Sequence, residues 1–114
     1  MRLLVVEDNM IIALDLEEML TRGGAASVDV VSSVSEALRI LDRLDIDAAI
    51  LDLNLGAENS IPVADRLHSK NIPFVFATGY GERASIPEHL AGAPIMDKPY
   101  NEGTINDALS KAVR

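Results

Sequence analysis

Cysteine and tryptophan are both missing from this chain of 114 residues. Without cysteine there are no disulfides, no thiolate metal sites and no cysteine nucleophile. That absence fits a reducing compartment and an expectation of a cytoplasmic protein. Aromatic residues make up only 4%, so any core must be built mostly from aliphatic side chains. Positive charge is also scarce: 10 Lys and Arg stand against 18 Asp and Glu, for a net charge of −8. Non-specific nucleic-acid binding needs a basic face, and an anionic membrane surface would repel such a chain, so neither is expected as a partner. Long apolar runs are lacking too. The stretch after Arg2 meets Glu7 and Asp8 far too early for a signal peptide or a membrane span. No repeat, low-complexity tract or linker divides the chain, and a single domain over 1–114 with no output domain is expected.

What is present is alternation. Residues 3–6 form a continuous aliphatic run, as suits a strand buried on both faces. From about Asn9 the period changes, and Ile12, Leu16, Met19 and Leu20 fall on one helical stripe that Gly23 and Gly24 terminate. A second, less apolar strand is expected over 28–32. The spacing of Ser33 and Glu36 then suits a capping box ahead of Ala37, Leu38 and Leu41. A third strand over 48–51 ends at Asp52. A loop over 53–60 contains Gly56, and a helix over 63–70 has Pro62 in its first turn. A fourth strand, 74–77, has Thr78 at its end. The fifth, 93–96, contains Pro94, which cannot donate to a ladder and belongs at an edge. Asn101 can cap a last helix whose stripe is Ile105, Ala108, Leu109 and Val113. Between 79 and 92 the chain is punctuated by Gly79, Gly81, Pro87 and Gly92, so a short or mobile fourth helix is expected.

These elements predict an α/β fold: a flavodoxin-like (βα)5 three-layer sandwich with a parallel five-stranded sheet of order 2-1-3-4-5. That order places the most apolar strands centrally and the weaker second and fifth at the edges. Ligands of such sheets bind beyond the carboxyl ends of the strands, where the strand order reverses. Glu7 and Asp8 close the first strand, Asp52 the third and Thr78 the fourth, while Lys98 and Pro99 follow the fifth. One rim therefore collects the reactive side chains. Two carboxylates about 4 Å apart repel by roughly 4 kcal/mol at an effective dielectric near 20. A cluster of acids thus calls for a divalent cation or a retained proton. An all-oxygen set suits Mg²⁺, with Mn²⁺ as an alternative, held by Asp8, by Glu7 directly or through water, by Asp52 and by the backbone carbonyl of Asn54. Asp52 is then the candidate nucleophile for an aspartyl-phosphate. Lys98 supplies a compact positive charge and Thr78 a hydroxyl to the phosphoryl oxygens. Pro99 is a candidate for a cis peptide bond. Tyr100 is expected to pack in the core, and His68 and His89 to lie on the surface. As strand-end residues, any one of these acids could equally be a helix cap.

Four stretches, Val5-Val6-Glu7-Asp8, Leu51-Asp52-Leu53-Asn54, Phe76-Ala77-Thr78-Gly79 and Asp97-Lys98-Pro99-Tyr100, resemble the receiver domains of two-component response regulators. The resemblance covers essentially the whole chain. It implies a phosphorelay protein, not an enzyme acting on other molecules, that takes a phosphoryl group from a histidine kinase or a histidine phosphotransfer protein onto Asp52. It also implies that phosphorylation draws Thr78 inward and alters binding of a downstream protein by a monomer or weak dimer. One departure stands out: Ile95 occupies the place where many receivers carry a switching aromatic. The run from Pro73 to Gly81 instead resembles a single-domain subgroup named for a Phe-Ala-Thr-Gly motif, and Tyr80 is the candidate to take over the switch. Asn54, two residues past Asp52, is the candidate to orient or block a hydrolytic water and so set phosphoryl lifetime.

Three rivals are weighed against this reading. A haloacid-dehalogenase-like phosphatase needs a second acid where Asn54 stands. A dinucleotide site at Gly79, Gly81 and Ala84 is broken by Pro87. A pseudo-receiver that binds partners without phosphorylation draws support from Ile95 alone.

Overall fold

The aliphatic run that opens the chain forms β1 (Arg2–Val6), and its side chains alternate between two buried faces of a sheet. The structure is a computed structural model describing residues 1–79 and 82–113, with the side chains at 82 and 83 excepted. The chain continues through α1 (Met10–Arg22), β2 (Ser27–Val31), α2 (Val34–Arg43), β3 (Ala48–Asp52), α3 (Ile61–Ser69) and β4 (Phe74–Thr78). After β4 come β5 (Ile95–Asp97) and α4 (Glu102–Ala112). The five strands are parallel in the order β2-β1-β3-β4-β5, the flavodoxin-like topology expected from the sequence.

Leu4, Val6, Ala49, Leu51 and Phe76 face α2 and α3, where Ala37, Leu41, Val63 and Leu67 meet them. Leu3, Val5, Ile50, Val75 and Met96 face α1 and α4, against Leu16, Leu20 and Ile105. Every residue of β3 and β4 is buried, whereas the edge strand β2 is mostly half-exposed. A strand covered by helices on both faces has no polar side, which is why β1, β3 and β4 read as unbroken apolar runs. Phe74 and Phe76 stack edge to face with centroids 5.5 Å apart, an aromatic pair within an otherwise aliphatic core.

Local chemistry sets the helix boundaries. The Asn9 side chain accepts from the N–H groups of Ile11 and Ile12, and the Asn101 side chain from that of Thr104. Ser33 caps α2 through the N–H of Glu36. Glu36 itself reaches the hydroxyls of Ser32 and Ser33, so the expected capping box is only half formed. Pro62 lies in the first turn of α3, which begins two residues earlier than expected, at Ile61.

Three expectations are corrected. Among its described residues, the connection from β4 to β5 contains no α-helix but two short 3₁₀ turns, Glu82–Ser85 and Glu88–Leu90. Pro87, with φ −62° and ψ 151°, stands extended between them. It has no N–H to give a helix and disfavours the helical region for Ile86 before it. Strand β5 is Ile95–Asp97 rather than 93–96, so Pro94 precedes the strand instead of sitting in it. Val113 lies just past α4, 45% exposed, and does not continue that helix's buried stripe.

Candidate functional site

The β1–β3 junction is where the sheet order reverses, and the carboxyl ends of the two strands lie side by side with Val6 paired to Leu51. Glu7 and Asp8 leave β1 at that level, and Asp52 ends β3. One carboxylate oxygen from each of Glu7, Asp8 and Asp52 lies within 4.8 Å of the other two. Among the described residues no other group of three acids or histidines is gathered in this way. Glu7 and Asp52 are buried, at 1% and 3% exposure, while Asp8 faces solvent.

Lys98, half-buried just after β5, sets its Nζ 3.0 Å from Asp52 Oδ2 and 4.0 Å from Glu7 Oε1. The cis Lys98–Pro99 peptide follows it, and the Lys98 N–H donates to the Thr78 carbonyl at 2.9 Å. Asp52 Oδ1 accepts from the N–H of Asn54 at 3.3 Å, and Glu7 Oε2 from that of Asn9 at 3.3 Å. Glu7 Oε1 is buried with no hydrogen-bond partner.

Burial pushes the Glu7 carboxyl up to about 8, and the adjacent Asp52 carboxylate adds to the rise. The Asn9 N–H and the Lys98 charge oppose that rise without cancelling it. Tyr100 feels the same field. Its buried, unpartnered hydroxyl has a pKa raised first by desolvation and then by the charges of Glu7, Asp52 and Asp15. Its ring packs on the core between the sheet, α1 and α4, as expected.

The residue set fits a divalent cation. A buried carboxylate oxygen lacks a partner, three acids crowd one point, and each donor available is an oxygen. A cation there would supply the charge that Lys98 supplies only in part.

Thr78 is fully buried at the end of β4, one residue beyond Ala77, the cross-strand partner of Asp52. Its hydroxyl lies 3.5 Å from Asp97 Oδ1, at the outer limit of a hydrogen bond. Asn54 is exposed, and its side-chain oxygen accepts from the N–H of Gly56 at 2.9 Å. Ile95 is half-buried against the core on the α2 and α3 side. Tyr80, the candidate switch, lies outside the described residues. His68 and His89 are both on the surface, and His89 Nε2 sits 2.7 Å from Asp65 Oδ1. Gly56 and Asp97 also border the site, although in the sequence they stand out only as a loop glycine and as part of the stretch Asp97 to Tyr100. Gly56 has φ +81°, and a Cβ built there would stand 3.6 Å from Asp8 Oδ2, so it lies against the acidic cluster. Its place in a short loop two residues past Asn54 was the one signal available.

A doubly wound parallel sheet with a single acidic rim, a buried aspartate and a lysine held against it defines a narrow class of α/β domains. The sequence matches the response regulator receiver domain over residues 3–110, and the chain belongs to that family. Its function is that of a receiver in two-component phosphorelay signalling. The solution structure of SdrG from Sphingomonas melonis Fr1 is similar, with a TM-score of 0.86 and 38% identity over 99% of this chain and 96% of that one. A sensor protein from Polaromonas sp. JS666 superposes with a TM-score of 0.84 at 26% identity, covering 98% and 94% of the two chains. Among curated relatives, the phyllosphere-induced regulator PhyR of Methylorubrum extorquens is 29% identical over 97% of this chain and 43% of its own length. The sensory transduction protein LytR of Streptococcus mutans is 28% identical over 97% of this chain and 48% of its own. The chain thus spans less than half the length of these two curated relatives.

Proposed function

We propose that Asp52 is the phosphoryl acceptor, with Glu7, Asp8 and Asp52 holding Mg²⁺, or Mn²⁺ in its place. The observation that carries this reading is the placement of Asp52. It is buried, paired at 3.0 Å with the Lys98 ammonium and gathered within 4.8 Å of two further carboxylates at the switch point of the sheet. The donor is a phosphohistidine of a sensor kinase or phosphotransfer protein. An Asp52 oxygen forms the new bond to phosphorus as the phosphorus–nitrogen bond breaks, and the leaving imidazole takes up a proton. The cation, when bound, neutralises charge on the phosphoryl oxygens. Little covalent work is left to the protein beyond positioning and charge neutralisation. Lys98 follows the negative charge from Asp52 onto the phosphoryl group. The Thr78 hydroxyl, freed from Asp97, donates to another phosphoryl oxygen and draws β4 and its loop with it. The backbone carbonyl of Asn54 completes the protein's share of the cation's shell, and its side chain sets how readily water reaches the phosphorus.

In this reading the domain is a cytoplasmic signalling module that promotes only its own phosphorylation and dephosphorylation. It passes the signal to a partner protein as a monomer or weak dimer, with Tyr80 in place of the missing aromatic at Ile95. Met10, Ile11 and Leu14, all exposed on α1 beside the acidic rim, offer an approaching donor an apolar surface. The similar SdrG is described in a BeF3-activated conformation, which agrees with a phospho-acceptor role. The test is intact-protein mass after treatment with acetyl phosphate or phosphoramidate and Mg²⁺. Wild type should gain one phosphoryl mass, while Asp52→Asn and wild type in EDTA should gain none. An unmodified wild type would instead favour an interaction module that works without phosphorylation.

A further inference from the structure

The segment between β3 and α3 is not an open loop. Asn54 and Asn59 form an antiparallel bridge, the Leu55 N–H donates to the Glu58 carbonyl at 2.9 Å, and the Ser60 N–H donates to the Leu53 carbonyl at 3.1 Å. The result is a miniature hairpin. Its legs are anchored by the buried side chains of Leu53 and Leu55 in the core under α2 and α3. Its tip carries Gly56 against the Asp8 carboxylate, and its first leg donates an N–H to Asp52. Leu55 is the last residue of the hairpin with an apolar anchor, so packing alone leaves the tip unsecured.

Glu58 secures it. Its side-chain Oε1 accepts from the N–H of Val34, the first residue of α2, at 2.9 Å, across 24 residues of sequence. That N–H is one of the donors a helix leaves without an internal partner, and a carboxylate is favoured at this end of the helix dipole. Ser33 already serves the N–H of Glu36, so the helix start is shared between a local cap and this long-range one. The start of α2 is fixed in turn to the site, since the Glu7 N–H donates to the carbonyl of Val31 at the end of β2.

We infer that Glu58 is a positioning residue that ties the hairpin tip to α2 and so holds Gly56 and Asn54 as one wall of the Asp8 and Asp52 site. The inference deepens the phospho-acceptor reading and rests on it for its lifetime measurement. The tether restrains how far the hairpin can open. It thereby sets how tightly the acidic cluster closes on a divalent cation and how easily water reaches a phosphoryl group on Asp52. It also gives α2 a direct mechanical link to the phosphorylated loop.

The experiment compares Glu58→Ala, Glu58→Gln and Ser33→Ala in the full chain. Mn²⁺ affinity is measured on the unphosphorylated proteins, and phosphoryl half-life after loading with acetyl phosphate. Glu58→Ala should weaken Mn²⁺ binding and shorten the half-life by about threefold or more, the scale of one lost capping hydrogen bond. Glu58→Gln keeps an acceptor oxygen for Val34 and should restore both values. Ser33→Ala removes the local cap of the same helix and should lower thermal stability while leaving both values near wild type. The inference is overturned if Glu58→Ala matches wild type, or if Ser33→Ala changes both values as much as Glu58→Ala does. The second result would reduce Glu58 to a plain helix cap. Failure of wild type to take up phosphate would count against the phospho-acceptor reading alone, because the Mn²⁺ comparison still decides the role of Glu58. Should Glu58→Ala unfold, slower amide exchange of Val34 in Glu58→Gln than in Glu58→Lys, a variant without an acceptor, supports the tether, and equal exchange overturns it.

Discussion

The ammonium of Lys98 stands 3.0 Å from Asp52 Oδ2 but 4.0 Å from Glu7 Oε1, so it serves the candidate acceptor before its neighbour. This asymmetry leaves Glu7 as the carboxylate with the poorer compensation. Its second oxygen is orphaned, and its proton is held to about pH 8. The two partners of one lysine thus differ: Asp52 holds the closer ion pair, and Glu7 keeps a buried oxygen without a partner.

Removing the lysine tests this difference. Lys98→Ala should slow phosphorylation by acetyl phosphate about a hundredfold, the lower end of the range for losing one donor to a transition state. Mg²⁺ binding should tighten, since a competing positive charge beside Asp52 is gone. Titration of Mg²⁺ alongside the phosphorylation rate checks both, and a joint fall would contradict the assignment.

The raised pKa of Glu7 fixes the direction of a pH effect. An unfolded Glu loses its proton near 4.5, whereas the folded, metal-free protein keeps it to about 8. Its stabilising contribution is therefore complete below pH 4.5 and is lost as the pH climbs through this window to 8, after which it stays lost. Thermal unfolding in EDTA should show a decline across that range which Glu7→Gln flattens. Mg²⁺ must displace the proton, so its apparent affinity should rise by up to about tenfold per pH unit below 8 and level off above. Calorimetry in buffers of different ionisation enthalpy would count the released proton.

Thr78 is expected to transmit rather than to accept. Thr78→Ala should leave the phosphorylation rate within about threefold of wild type, the loss of one neutral hydrogen bond. The shifts in backbone NMR resonances of β4 and β5 on phosphorylation should shrink sharply. Thr78→Ser, which keeps the hydroxyl, should restore them; if it fails to do so, the hydroxyl is not the coupling group.

Gly56 combines a positive φ of 81° with a neighbouring carboxylate. Gly56→Ala places a side chain in the left-handed region at a cost of about 1–2 kcal/mol. For a domain of this size that lowers the melting temperature by about 5–10 °C. Because the new methyl stands beside Asp8, Mg²⁺ affinity should fall as well. Gly24, at φ +104° with no atom near its Cβ position, provides the control: Gly24→Ala should lose stability without losing Mg²⁺ affinity.

The fold was legible in the chain to an unusual depth because its strongest signals are local. Unbroken apolar runs at β1, β3 and β4 suit strands covered on both faces. Asn9, Ser33 and Asn101 mark helix starts by chemistry that acts within a few residues. Pro87 forbade a long helix between β4 and β5, although the pattern left open what would replace it, and two 3₁₀ turns did. Pro94 pointed to an edge strand correctly but blurred where that strand begins.

The membership of the site was also a matter of sequence, since a residue at the carboxyl end of a parallel strand has one rim to occupy. Glu7, Asp8, Asp52, Thr78 and Lys98 follow from strand position alone. Tertiary structure decided the rest, because it depends on distances between segments far apart in the chain. Only the folded sheet sets Lys98 nearer to Asp52 than to Glu7, leaves one Glu7 oxygen without a partner, and brings Glu58 to the first N–H of α2. Which residues stand at the rim is governed by short-range periodicity. Which charge answers which is settled by burial and through-space distance, and neither is encoded within any single stretch of the chain.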